Sequence, residues 1–305
     1  EPHRRSSRLG VTRFVTEAQA RDGIATTLDA AEDWRRLAYE DRAAVFLRAA
    51  ELLCGPWRDV INAATMLGQS KTSYQAEIDA ACELADFWRF NVAFGRQILQ
   101  QQPAANSPGV WNRTEHRALE GFVYAISPFN FTSIAANLAT APALMGNVAV
   151  WKPSPTQQLA AHHTMRLLEA AGLPPGVVTM LPGAGPEVSA AALSHPMLAG
   201  IHFTGSTRTF QGLYAEVGSR IAGYRGYPRI VGETGGKDFV VAHPSADVDA
   251  LRTALLRGAF DYQGQKCSAA SRAYVPRSVW ARLRDDLVAQ TEALAVGDVT
   301  DPASF

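Results

Sequence analysis

The segment Gly264-Gln265-Lys266-Cys267-Ser268 sets a cysteine among small, polar and glycine residues rather than in an apolar run, a setting that suits a nucleophile. Upstream, Gly232-Glu233-Thr234-Gly235-Gly236-Lys237 places a carboxylate among glycines, where the backbone can bend sharply and a substrate can approach closely. Each has an ordinary reading, since most free cysteines are small buried hydrophobes and most turn carboxylates are solvated. Together they offer a thiol and a base that can take a proton from that thiol, or from water attacking a thioester. A helix N-terminus at the sulfur, with N–H groups freed around Gly264, Gln265 and Ser268, would favour the thiolate and later an oxyanion. Lys266 either adds positive potential or is simply solvated. No histidine stands at a recognisable Cys-protease spacing. His162 and His163, adjacent on a predicted helix, point to different sides and read as surface or interface residues.

Three further segments close predicted strands. Ile126-Ser127-Pro128-Phe129-Asn130-Phe131 is a structural turn or, through the Asn130 amide, a donor to a developing oxyanion beside the Cys267 N–H. Gly205-Ser206-Thr207 opens a helix whose free N–H groups can receive a pyrophosphate, although the pattern is not GxGxxG. Trp151-Lys152-Pro153-Ser154 ends a strand on the same edge, where doubly wound sheets bind nucleotides, and Lys152 either reaches a ribose hydroxyl or is solvated.

The elements that must position these residues follow from periodicity. From Thr16 to about Gln101, apolar residues recur at helical spacing (Val45, Ala49, Leu53; Ile78, Cys82, Ala85, Trp88), with Gly55-Pro56 and Gly68 as interruptions. Residues 102–120 turn to Pro, Asn, Ser and Arg, a connection. Short apolar runs then alternate with helices: Phe122-Ile126, a helix from Ser133, Asn147-Trp151, a helix from Thr156, Val177-Leu181, a helix from Gly185, Gly200-Phe203 and a helix from Ser206. Runs apolar on both faces, spaced by helices, predict a doubly wound parallel α/β sheet covered on both sides. Beyond Arg229-Val231, the glycine-rich Glu233 turn leads to a strand at Phe239-Val241, a helix over Val248 to Phe260, the cysteine turn, a strand at Arg272-Val275 and a helix from Ser278. We divide the chain into residues 1–234, the N-terminal helices and main sheet, and 235–305, the start of a second α/β domain that is left unfinished.

Composition excludes more than it identifies. The 305 residues carry 29 basic and 29 acidic side chains, so nothing in the balance calls for nucleic acid or a membrane surface. The longest apolar stretch, Ile134 to Met145, is about half the ~20 residues that span a bilayer. Cys54, Cys82 and Cys267 form no CxxC pair and are odd in number, which disfavours disulfides or zinc and fits a reducing compartment, by default the cytoplasm. The N-terminus lacks both Met and the apolar run of a secretory signal. Both ends read as truncated.

Taken in order, ISPFNF with Asn130, WKPS with Lys152, FTGST with Gly205, GETGGKD with Glu233 and GQKCSAASR with Cys267 resemble the aldehyde dehydrogenase superfamily over most of the chain. Glu83-Leu84-Ala85-Asp86-Phe87-Trp88-Arg89-Phe90-Asn91, Leu119 to Val123, Tyr227-Pro228-Arg229 and Gln263 to Ala269 are similar to its delta-1-pyrroline-5-carboxylate dehydrogenase branch, which oxidises L-glutamate γ-semialdehyde to glutamate in proline breakdown. The resemblance implies Cys267 as nucleophile, Glu233 as base and Asn130 at the oxyanion. It implies dinucleotide contacts from Ser127, Lys152, Gly205, Ser206, Thr207, Arg208 and Thr209, and substrate contacts from Glu83, Phe131 and Ser268. It further implies a homo-oligomer at full length and a proline dehydrogenase as partner or fused domain. Two departures bear on the cofactor: the second glycine common after Gly205 is absent, and Pro155 replaces a ribose-binding Glu, so NAD over NADP rests on the branch resemblance alone. Oxidation of another aldehyde, and a non-catalytic fragment that lacks the family's C-terminal half, are the alternatives.

Overall fold

The computed structural model describes residues 1–305. Six α-helices precede the first strand: α1 (Glu17–Asp29), α2 (Ala31–Arg36), α3 (Tyr39–Cys54), α4 (Arg58–Gln69), α5 (Ser73–Ala76) and α6 (Glu83–Gln100). Thr16 starts α1 with a capping box in which its hydroxyl accepts from the Gln19 N–H. Gly68, expected as an interruption, lies inside α4, because a single glycine lowers helix propensity without breaking the hydrogen-bond ladder. A π-turn at Glu77–Cys82 joins α5 to α6. Its extra residue per turn shifts the helical phase, so Ile78 and Cys82, expected on the buried face, are exposed, while Asp79, Ala80 and Ala81 turn inward.

The alternating region folds as read. Strands β1 (Phe122–Ile126), β2 (Val148–Lys152), β3 (Val178–Met180), β4 (Leu198–Gly205) and β5 (Arg229–Thr234) are separated by α7 (Thr132–Leu144), α8 (Gln158–Ala171), α9 (Gly185–Leu193) and α10 (Thr207–Ser219). They form one all-parallel sheet of order β3-β2-β1-β4-β5. Every residue of β1 and β2 is buried, as strands covered on both faces must be. The edge strand β5 departs from that expectation, being exposed or half-buried throughout. It also runs further than the sequence suggested: Glu233 pairs with Thr204 inside the ladder rather than sitting in a glycine turn.

Beyond β5, β6 (Phe239–Val241) pairs in parallel with β7 (Arg272–Tyr274), flanked by α11 (Val248–Phe260) and α12 (Arg277–Glu292). Asp247 caps α11 by accepting from the Ala250 N–H. A core of 46 buried residues surrounds the main sheet, and a separate cluster of five, Ala242, Leu251, Leu255, Val279 and Leu283, lies under the small one. The chain leaves β1 toward β2 and β3 on one side and returns through β4 and β5 on the other. The carboxyl ends of β1 and β4 therefore flank the switch point where such sheets bind ligands.

Candidate active site

Cys267 and Glu233 face one cavity of about 620 Å³, which Glu83, Phe131 and Ser268 also line. A larger cavity of about 850 Å³, between the N-terminal segment and α8, contains no cysteine. Cys267 follows a single 3-10 turn, Asp261–Gly264, and no helix begins at it, so the helix-terminus activation expected from sequence is absent. Burial pushes its thiol above the ordinary range, and the Glu233 carboxylate pushes it further, against a smaller opposing effect of the Ser268 N–H. Burial and the neighbouring carboxylate thus both favour the thiol over the thiolate at Cys267. That geometry calls for base assistance rather than a standing thiolate.

The loop that carries the sulfur is fixed by close approach. A Cβ at position 236 would collide with the Cys267 carbonyl oxygen, so a glycine at position 236 is required for the two segments to touch. Tyr262, Gln263 and Gly264 all have positive φ, at 51°, 53° and 69°. The Asn130 amide donates to the Gln265 carbonyl at 2.8 Å, which ties the turn after β1 to the cysteine loop. One amide hydrogen of Asn130 remains for a ligand, and the Cys267 N–H makes no main-chain hydrogen bond.

Lys266 is neither free nor solvated. It pairs with Asp261 at 2.8 Å and with Asp79 at 3.1 Å. Asp79 also holds the fully buried Lys71 at 2.5 Å. Neither Lys71 nor Asp79 was singled out from sequence: no motif contains them, and Asp79 faces inward only because of the π-turn. Glu83, half-buried, accepts from the Ser133 hydroxyl, and burial followed by the nearby Asp79 raises its carboxyl above the usual range. The cavity is therefore lined by Glu83 as well as by Glu233 and the thiol.

The residues expected to hold a dinucleotide do not line this cavity, although they share the carboxyl edge of the sheet with it. Ser206 caps α10 by accepting from the Thr209 N–H at 3.1 Å, and Ser206 to Thr209 are exposed to solvent there. Lys152 ends β2, and burial alone lowers its pKa, with no acidic partner to offset it. An unpaired, mostly buried ammonium and a 13-residue helix presenting its N-terminus form a donor set that suits hydroxyls and phosphates. The Ser127 hydroxyl is buried and accepts from the Trp151 indole at 3.0 Å. His162 and His163 stay outside the site as expected, although their rings meet edge to face with centroids 5.4 Å apart instead of diverging.

The aldehyde dehydrogenase family profile matches residues 1–305. A mitochondrial delta-1-pyrroline-5-carboxylate dehydrogenase of Emericella nidulans is 49% identical over 301 residues, covering 97% of this chain and 53% of its own length. The crystal structure of the Mycobacterium tuberculosis delta-pyrroline-5-carboxylate dehydrogenase bound with NAD is 64% identical, with a TM-score of 0.95, and is matched over 98% of this chain and 56% of that one. Proline utilization A from Bdellovibrio bacteriovorus, 28% identical with a TM-score of 0.88, is matched over 96% of this chain and 30% of its own. The chain spans about half the length of the curated relatives it matches.

Proposed function

Since the chain belongs to the aldehyde dehydrogenase family, we propose that the protein it represents oxidises L-glutamate γ-semialdehyde to L-glutamate with NAD, in the breakdown of proline. The observation that carries this reading is that Cys267 and Glu233 line one cavity together with Glu83, with burial and the Glu233 charge both raising the Cys267 thiol. The 64% identity to an NAD-bound enzyme of that name supports the substrate and the cofactor. NAD, when bound, supplies the hydride acceptor; Lys152 and the Gly205–Thr209 segment would hold its hydroxyls and phosphates, with Ser127 beside them.

The chain's own residues do the rest. Glu233 takes the thiol proton as the Cys267 sulfur bonds to the aldehyde carbon. The second Asn130 amide hydrogen and the Cys267 N–H hold the oxygen that becomes negative. Loss of hydride from that carbon leaves the acyl group on sulfur. Glu233 releases the thiol proton to solvent and then accepts one from water as the water oxygen attacks; the C–S bond breaks, the sulfur takes that proton back, and the acid leaves, ionising to the carboxylate in solvent. Glu83 and Phe131 line the space for the substrate body, and Ser268 lies beside the sulfur. A carboxylate base at position 233 favours hydrolysis over transfer to another thiol. Division of labour between residues 1–234 and 235–305 belongs to the same reading, with the dinucleotide on the first and the nucleophile on the second.

Three free cysteines support a reducing compartment, cytoplasmic or organellar. The match to proline utilization A supports a proline dehydrogenase as partner or fused domain. NADH formation by the complete protein, with glutamate semialdehyde and with a simple aliphatic aldehyde, tests the proposal. We expect turnover with a strong preference for the semialdehyde. Equal rates would leave an aldehyde dehydrogenase of another substrate, and no turnover with either would remove the activity.

A further inference from the structure

The turn that carries Asn130 and the loop that carries Cys267 come from chain segments more than a hundred residues apart, and Asn130 can serve an oxyanion at the sulfur only if their separation is fixed. One direct bond joins them, from the Asn130 amide to the Gln265 carbonyl. Behind it lies a second connection that enters no step of the mechanism. The Lys71 ammonium sits 4.1 Å from the centroid of the Phe131 ring and 4.4 Å from that of Tyr262. Phe131 is the neighbour of Asn130, and Tyr262 is the first residue of the left-handed stretch that leads to Cys267. A cation between two aromatic faces attracts both, and the attraction is strongest where water is excluded. Here Lys71 is fully buried, Tyr262 is 1% exposed and Phe131 6%.

The residue two positions before Lys71 repeats the link in hydrogen bonds. The Tyr262 hydroxyl donates to the Gln69 main-chain carbonyl at 2.7 Å. The buried Gln69 carboxamide satisfies its surroundings when its oxygen accepts from Thr132 at 2.7 Å and its nitrogen donates to the carbonyls of Phe129 and Asn130, each at 3.2 Å. Asp79 keeps the Lys71 charge in place at 2.5 Å and holds Lys266, next to the nucleophile, with its carboxylate. Two non-glycine residues in the left-handed region, at a cost of about 1–2 kcal/mol each, need such external fixing to persist.

We propose that Lys71 is a positioning residue, clamping the Phe131 and Tyr262 rings so that the Asn130 amide is held in register with the Cys267 sulfur. The inference rests on the dehydrogenase reading above. It requires that loss of the clamp impair aldehyde addition, which needs the oxyanion donors, and spare alkylation of the same thiol, which does not.

The test is a double-mutant cycle of Lys71→Met with Asn130→Ala in the complete protein, read by steady-state NADH formation and by the iodoacetamide alkylation rate of Cys267 across pH. We expect Lys71→Met to lower kcat at least tenfold, with KM changed less than about threefold and the alkylation rate and its pH profile within about twofold of wild type. In the Asn130→Ala background the same substitution should change kcat less than about twofold, because the group it positions is gone. Additive losses, no loss, or alkylation falling in parallel with kcat would each overturn the proposal. Should Lys71→Met fail to fold, Tyr262→Leu, which removes one of the two rings the ammonium holds, is judged in the same cycle by the same criteria, with a kcat loss of about threefold or more expected. A wild-type protein that alkylates at Cys267 yet forms no NADH sinks the functional reading, and this inference with it; an active wild type with an additive cycle sinks this inference alone.

Discussion

At the scale of single residues, the proposed chemistry couples a thiol to a carboxylate. Burial and the Glu233 charge both hold the Cys267 thiol above its ordinary titration range. Glu233→Gln removes the second of these, so the pH at which alkylation of Cys267 reaches half its maximum should fall relative to wild type. On the proposed mechanism the same variant lacks the base for hydrolysis, and the acyl-enzyme should accumulate in a single turnover, visible by intact-protein mass spectrometry. An unmoved alkylation profile would deny the electrostatic coupling, and an undiminished steady-state rate would deny the base. Cys267→Ala should abolish aldehyde oxidation while NAD still raises the melting temperature, because none of the expected dinucleotide residues lines the cavity that holds the sulfur. Retained turnover in that variant would remove the nucleophile from Cys267.

The elements place these residues, and the π-turn between α5 and α6 is the clearest case. By turning Asp79 inward it pairs Lys71 and meets Lys266, and it opens the helix that begins with Glu83. Asp79→Asn breaks a buried ion pair and leaves Lys71 uncompensated, an effect of roughly 3–5 kcal/mol, to be measured by urea unfolding. Burial, partly offset by the attraction of Asp79, lowers the Lys71 pKa from 10.5 to about 8. The folded state therefore binds fewer protons at Lys71 than the unfolded chain between those values. Stability supplied through this residue rises with pH across that window, because it is below about pH 8 that the fold must bury the charged form. The difference in unfolding free energy between wild type and Lys71→Met should accordingly shift toward wild type as pH is raised from about 8 to 10.5. A pH-independent difference would show that the ammonium is not desolvated.

At the scale of the whole molecule, the cavity lies where two unequal cores meet. Glu83, Phe131 and Glu233 belong to the segment around the large core, whereas Cys267 and Ser268 precede β7, whose sheet rests on five buried residues. Leu283, fully buried in the small cluster, should lose about 2–5 kcal/mol of local stability on truncation to Ala. Hydrogen exchange should then show faster exchange across α11, β7 and α12, while β1, β2 and β4 keep their protection. Uniform loss across both cores would show that they unfold as one unit. Cys267 is thus carried by the segment that rests on the smaller of the two cores.

Much of this was legible in the linear sequence because it is local. The apolar runs at Phe122-Ile126 and at Val148 to Trp151 carry period and length enough to define buried parallel strands, and the five ordered motifs set Asn130, Lys152, Gly205, Glu233 and Cys267 at strand or loop ends. What the sequence left out is what depends on phase and on distant contact. One π-turn, invisible to a 3.6-residue period, reversed the faces of Ile78, Cys82 and Asp79. Pairing with β4 carried β5 through Glu233, where composition alone suggested a turn. Only the folded chain brings Lys71 between Phe131 and Tyr262, since a cation between rings is defined by three positions in space and by the exclusion of water, neither of which is written in residue spacing.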